Sequence, residues 1–232
     1  MLDEGLEFRG KRAFFSVPTT DPIQLPTQPL GIPPFVYGFW FVSRKGDQLL
    51  SVPLEFSDDV FEKFKDSGYQ IENLGVYLKR YIKFRTVPSI WGQLRGENTR
   101  TVPLAYLNGS AEQRLEFIQG MLSAKPVRKV GPTGIFGIKT QKKHLITVYQ
   151  FLSESLGAKT KIDYQESNKL YSISITRISP FLKQMAPERP VVYLARRYVK
   201  SIERIPAQLC VHIETDDEDG SFLAGEGFIP CL

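Results

Sequence analysis

The side chains with chemistry to offer in this sequence are mostly cations set among aromatics. Lys79-Arg80-Tyr81-Ile82-Lys83-Phe84-Arg85 and Arg196-Arg197-Tyr198-Val199-Lys200 interleave charged with apolar residues. On strands, a period of two sends the charges to one face and the core residues to the other. Lys125-Pro126-Val127-Arg128-Lys129, and Lys139 with Lys142 and Lys143, extend the positive field. Cations in this pattern suit phosphates, because each phosphate neutralised releases condensed counterions, and they suit guanine edges. A solubilising sheet face is the other use of the same pattern.

These groups sit in a strongly basic body. Residues 206–232 hold six acids (Glu214, Asp216, Asp217, Glu218, Asp219, Glu226) and no Lys or Arg. All 30 bases of the 232-residue chain therefore stand against 19 of its 25 acids in the first 205 residues, a net charge of +11. A polyanion is the partner such a body favours. Glu214 to Asp219 reads as a solvated turn, since it lacks the alternating ligands and distal Glu of a calcium loop.

Other chemistries are thinly represented. His144 and His212 are the two histidines, and no Ser/His/Asp or Cys/His triad can be assembled around them. Cys210 lies in an alternating apolar stretch and reads as a small core residue; nothing near Cys231 lowers its pKa. Two cysteines cannot make a disulfide framework or a four-ligand zinc site, which points to a reducing compartment. Gly131-Pro132-Thr133-Gly134 is a turn without the Gly-Lys-Ser/Thr ending of a phosphate loop. No apolar run approaches the ~18 residues of a membrane span, and Met1-Leu2-Asp3-Glu4 does not open a signal peptide. The expectation is a cytoplasmic protein with no membrane partner.

The elements that must position the cations form an α+β chain. Six prolines before residue 35 make residues 1–32 an extended lead-in. The run Phe35 to Val42 is either a buried strand or a short buried helix, which periodicity leaves open. Leu49 to Phe56 reads as a strand, and Ser57-Asp58-Asp59 cap a helix over Val60, Phe61 and Phe64 that stops at Gly68. Tyr69 to Arg85 mixes strand and helix signals. A second cycle starts with Ser110 as N-cap for a helix from Ala111, carrying Leu115, Ile118, Met121 and Leu122. A strand Ile135–Thr140, an amphipathic helix Gln141–Leu156 and two strands turning at Glu166-Ser167-Asn168 follow. Helix, strands, helix, strands thus occurs twice, over 33–105 and 106–190. Residues 191–232 change to short β segments and read as a separate all-β element.

Within that frame, Val102-Pro103 and Tyr106-Leu107-Asn108-Gly109-Ser110-Ala111-Glu112-Gln113-Arg114-Leu115-Glu116-Phe117-Ile118-Gln119-Gly120-Met121-Leu122 resemble the approach to the second LAGLIDADG helix of intein-encoded homing endonucleases. Pro33-Pro34-Phe35-Val36-Tyr37-Gly38-Phe39-Trp40-Phe41 resembles the first, after a proline-rich lead-in. Leu209 to Ile213 and Ser221 to Pro230 resemble the closing strands of a Hint intein, so the likeness runs in order along nearly the whole chain. It implies a pseudo-twofold pair of αββα repeats with saddle-shaped sheets on duplex DNA, plus a small Hint-like β element. Two helices would pack through Gly38 and Gly120, and an acid at the foot of each would hold divalent metal.

Counting from the glycines, those acid positions fall on Ser43 and Lys125, followed by Arg44 and Pro126 instead of glycine. A hydroxyl is a poor ligand for a hard cation and an ammonium repels it. A shift of register to Asp47 would land about a helical turn away. The resemblance therefore implies a double-stranded DNA-binding relative with cleavage lost, no confident catalytic residue, and no cofactor, Mg²⁺ entering only if nuclease activity is retained. Splicing is not expected either: no Cys or Ser with a downstream Thr-x-x-His precedes residue 30, and Pro230-Cys231-Leu232 replaces the closing His-Asn. Two alternatives stand beside this reading. One is an active endonuclease or nickase. The other is a phage structural or adaptor protein within a phage protein complex, with Phe14, Phe15 and Trp91 as contacts.

Overall fold

The apolar run behind Pro33 resolves as a helix. In the computed structural model, which describes residues 15–43, 49–53, 57–76, 79–84, 101–125, 128–130, 135–176, 196–199, 204, 206–209, 213–216, 222–225 and 227–231, helix α1 spans Pro34–Ser43. Its leading proline suits the first helical turn, where no N–H is needed. Every residue of α1 except Val42 is buried, so it is the central helix of the fold and not an amphipathic surface one. Strand β2 (Leu49–Val52) and helix α2 (Ser57–Asp66) follow. The ambiguous stretch after Gly68 is a hairpin, β3 (Ile71–Val76) with β4 (Lys79–Phe84).

The second cycle begins with a one-turn helix, α3 (Leu104–Leu107), and α4 (Ala111–Ser123). Ser110 closes a capping box on α4: its hydroxyl accepts from the Gln113 N–H, and the Gln113 side chain accepts from the Ser110 N–H. Then come β5 (Arg128–Val130), β6 (Ile135–Thr140), α5 (Lys143–Ser155), β7 (Lys159–Gln165) and β8 (Leu170–Thr176). The two halves share one topology. The first sheet runs β2-β4-β3 and the second β5-β6-β8-β7, all antiparallel. Removing the extra edge strand β5 leaves helix, strand, helix, hairpin in both, with the strand before the hairpin paired to the hairpin's second strand. Buried Leu50 opposite Ile82 in the first sheet matches buried Ile138 opposite Ile173 in the second.

The helices α1 and α4 meet at two glycines. A Cβ on Gly38 would drive into the Phe117 carbonyl and lie 2.8 Å from the Phe117 ring. A Cβ on Gly120 would drive into the Phe35 carbonyl and lie 2.9 Å from the Phe39 nitrogen. Phe117 precedes Gly120 by three residues and Phe35 precedes Gly38 by three, so the two contacts are one contact with the roles exchanged. Around this crossing Tyr37 stacks on Phe117 at 5.5 Å and meets Tyr106 at 4.3 Å, the two rings tilted by 32°. The Tyr106 hydroxyl donates to the Ile32 carbonyl and accepts the Ile32 N–H, and burial pushes its pKa up to about 12.

The chain ends are built onto the second half. From Thr19 to Pro33 the lead-in is in neither helix nor strand and bends at Gly31 and Ile32, and Ile23 donates to the Ser155 carbonyl at the end of α5. Strand β1 (Ser16–Pro18) pairs with β9 (Arg196–Tyr198), joining the lead-in to the segment after Pro190. Strands β10 (Phe222–Ala224) and β11 (Ile229–Cys231) form a hairpin whose Phe228 meets Phe151 of α5, ring centroids 5.6 Å apart. Among the described residues between 204 and 216, Leu209 and Ile213 are in no strand. No helix among the described residues is long and apolar enough to cross a membrane.

Candidate nucleic-acid interface

The pleat of the second sheet separates two chemistries. One face holds Ile138, Ile173 and Ile175, all buried beneath α5. The other face follows from the register: Lys161 opposite Ser174, which faces Gly137; Asp163 opposite Ser172, which faces Lys139; and Lys159 opposite Thr176. Lys139 and Lys161 are exposed, and Ser172, Ser174 and Thr176 are partly so. Lys161 leans on Asp163 at 3.1 Å, but both are well exposed, and such a pair is worth little in water. The outward face is therefore a grid of ammonium groups on a floor of small hydroxyls. Ammonium groups meet phosphates, and hydroxyls donate to or accept from base edges.

Arg128 and Lys129 enter this sheet through β5, where Arg128 pairs with Gly137 and Lys129 with Phe136. The one-residue step puts the two in different rows, Arg128 in line with Ser174 and Lys161, Lys129 in line with buried Ile175. In the first sheet the alternation separates the predicted cations in the same way. Exposed Lys83 is opposite Glu72 and Leu49; Arg80 is opposite Val52 and Gly75, two residues from buried Ile82; Lys79 is opposite Val76. Arg85 and Lys200 lie outside the described residues.

The cations of β9, and Lys159 beside them, are engaged by other groups of the protein. Arg196 donates to the Ser16 hydroxyl at 2.6 Å and to the Ser16 carbonyl at 3.2 Å, holding β1 to β9. Arg197 pairs with the buried Glu154 carboxylate at 3.7 Å. Lys159 donates to the Arg196 carbonyl and sits 5.6 Å from the centre of the Tyr198 ring. Arg196 and Arg197 thus act as fasteners of the chain ends, with Arg197 largely covered and not presented beside Lys139 and Lys161.

Lys142 and Lys143 are exposed at the start of α5, where the N-cap position is Lys142 and no side chain caps the helix. Two ammonium groups there oppose the positive end of the helix dipole, a conflict that an incoming anion relieves. His144 follows, edge-on to Phe41 of α1 at 6.2 Å, which ties the start of α5 to the end of α1.

Ser43 and Lys125 close the two central helices. Ser43 is buried and its hydroxyl donates to the Phe39 carbonyl at 2.8 Å. Lys125 is half-buried, and its pKa is lowered, first by burial and then by the charge of Lys142. A hard divalent cation takes anionic or carbonyl oxygens. A spent hydroxyl and an ammonium do not fit one, and no group of three or more His, Cys, Asp or Glu among the described residues could hold a metal. Asp47, the alternative acid, lies outside the described residues.

The same half-buried ammonium has a consequence for stability. A Lys whose folded pKa lies below its unfolded value disfavours folding while protonated, and the penalty fades as pH rises through the folded pKa toward 10.5. Lys125→Met is therefore expected to raise the urea midpoint at pH 7 relative to the parent, with the gain shrinking as pH approaches 10.

Sequence reasoning missed two groups. Arg114 is fully buried, its Nε, Nη1 and Nη2 each donating to a backbone carbonyl. Its signal was there, since it falls in the buried stripe of α4 with Phe117, Ile118 and Met121. Glu154 is buried off the apolar stripe of α5, where nothing in the spacing marks it.

No family model and no curated protein matches the sequence. Solved structures similar to the chain include the homing endonuclease I-DmoI in complex with DNA and Mn, 12% identical over 69% of this chain and 98% of that one, TM-score 0.44. Full-length DUF199/WhiA from Thermatoga maritima is 12% identical over 69% of this chain and 58% of its own, TM-score 0.44. The N-terminal LAGLIDADG domain of DUF199/WhiA is 14% identical over 71% of this chain and 87% of its own, TM-score 0.43.

Proposed function

We propose that this protein binds duplex DNA across the outward faces of its two sheets, and that it descends from an intein-encoded LAGLIDADG homing endonuclease whose metal-dependent cleavage has been lost. The observation that carries the binding is the outward face of the second sheet, exposed Lys139 and Lys161 over Ser172, Ser174 and Thr176, with the apolar residues on the opposite face. A purely solubilising face has no need for a floor of small hydroxyls within reach of base edges. Lys83 offers a matching cation on the first sheet, and the exchanged glycine contacts of α1 and α4 support a twofold relation between the two faces. The loss of cleavage rests on Ser43 and Lys125, which lack carboxylates where the resemblance implies metal-binding acids.

Fluorescence anisotropy with a labelled duplex tests the reading. If Lys83, Lys139 and Lys161 each meet a phosphate, log Kobs falls against log salt with a slope of about −2.7, near −0.9 per contact. Lys139→Ala and Lys161→Ala are each expected to reduce that slope by about 0.9 and to leave the fold intact. Binding that ignores salt, or variants that leave the slope unchanged, would refute the assignment. Plasmid incubated with Mg²⁺ or Mn²⁺ is expected to stay supercoiled; nicking abolished by a chelator would overturn the loss of cleavage and leave the binding face standing.

A further inference from the structure

We propose that the cavity between α5 and the β10–β11 hairpin is a binding site for a planar, aminated heteroaromatic compound of nucleobase size, held through Glu154. The cavity encloses about 320 Å³, within the range of small-ligand pockets. One wall is a single face of α5, Thr147, Gln150, Phe151 and Glu154, at the spacing that stacks side chains along a helix. This face is offset from the buried stripe of Leu145, Val148, Tyr149 and Leu152, with Phe151 packed at the edge of the core and Thr147 exposed. The other wall is the hairpin, with Gly227 and Phe228. The Phe151 and Phe228 rings meet at 66°, leaving apolar ring surface for a flat guest.

Glu154 supplies the polar specificity. It is only 5% exposed. Its Oε1 accepts the Thr160 hydroxyl at 2.6 Å and faces the Arg197 guanidinium at 3.7 Å. Arg197 in turn lies against Gly227, where a Cβ would come within 2.9 Å of the guanidinium carbon. These contacts fix the carboxylate and offset its charge, so the guest need not be a full cation. Oε2 takes no hydrogen bond among the described residues. Glu154 lines the cavity, so this oxygen is left as an open acceptor that an exocyclic amine or a ring N–H can fill. The Gln150 amide offers both a donor and an acceptor beside it. The site lies on the helix side of the second sheet, away from Lys139 and Lys161, so it stands or falls independently of DNA binding.

Titrating 2-aminobenzimidazole into the isotope-labelled full chain, with benzimidazole as the control lacking the amine, tests the proposal by amide chemical shifts. The expected result is shifts concentrated at Gln150, Phe151, Glu154 and Phe228, with the control binding roughly tenfold more weakly or worse. Glu154→Gln is expected to weaken binding by about tenfold or more. Thr147→Trp, at an exposed wall position, is expected to block binding while the rest of the spectrum stays folded. Shifts scattered over the sheet faces, equal affinity for the two compounds, or full affinity in Glu154→Gln would overturn it. Should Glu154→Gln fail to fold, undiminished binding by Thr147→Trp would do the same.

Discussion

Replacing Arg114 with methionine is expected to cost about 3–5 kcal/mol of folding stability, a large part of what a domain of this kind possesses. The guanidinium is fully buried and spends its donors on three carbonyls from three parts of the chain. Nε donates to Gly109 before α4 at 3.0 Å, Nη1 to Ser155 at the end of α5 at 2.9 Å, and Nη2 to Ile23 of the lead-in. Ile23 also donates its own N–H to the Ser155 carbonyl at 2.9 Å, so lead-in, α4 and α5 close on one point. The charge is met by carbonyl dipoles, and burial lowers its pKa without a carboxylate to offset the effect. Methionine keeps most of the volume but strands the Gly109 and Ile23 carbonyls, which is the costly half of a broken buried hydrogen bond. Lysine is not a rescue, because one nitrogen cannot reach three acceptors arranged for a planar fork. Urea denaturation should show both variants with a lowered midpoint, Arg114→Lys recovering less than half of the loss. An unfolding free energy within about 1 kcal/mol of the parent for Arg114→Met would remove the clasp as a stability determinant.

Arg114 also shows where the sequence ceases to be legible. Its helix could be read from Ser110, Gln113 and the apolar spacing, because capping and periodicity are local signals. Its partners could not, since Ile23 and Ser155 lie 91 and 41 residues away and offer only backbone oxygens, which leave no trace in residue type. The run Phe35 to Val42 was ambiguous for a different reason. A helix buried on all sides carries no period, and only the neighbours of Gly38 and Gly120 decide that it is one. The cation clusters divide along the same line. The alternation of β4 was readable, whereas the diversion of Arg196 and Arg197 to Ser16 and Glu154 depends on β1 pairing with β9 across the length of the chain. The two-stranded junction also explains why residues 191–232 looked separate: short strands read as an isolated β element until their partner, Ser16–Pro18, is known.

Gly38→Ala and Gly120→Ala are expected to destabilise the protein by about 2–3 kcal/mol each, against the usual sign. In a helix with open space, alanine gains roughly 0.5–1 kcal/mol over glycine by restricting the unfolded chain. Here the added methyl of residue 38 meets the Phe117 carbonyl and that of residue 120 meets the Phe35 carbonyl. Both obstacles are helix backbone, which cannot rotate away as a long side chain would, so the helices must part. Parting them loosens the packing of Tyr37 on Phe117 and Tyr106 and opens contacts of Phe35 and Phe39 with Phe64. The two substitutions damage one interface. The double variant is accordingly expected to lose less than the sum of the singles, because helices already separated by the first methyl accommodate the second. A double-mutant cycle by urea denaturation reads this coupling directly. Additive losses would mean that the glycines act at independent sites, and a gain of stability in either single variant would mean that α1 and α4 do not cross where the two missing side chains place them.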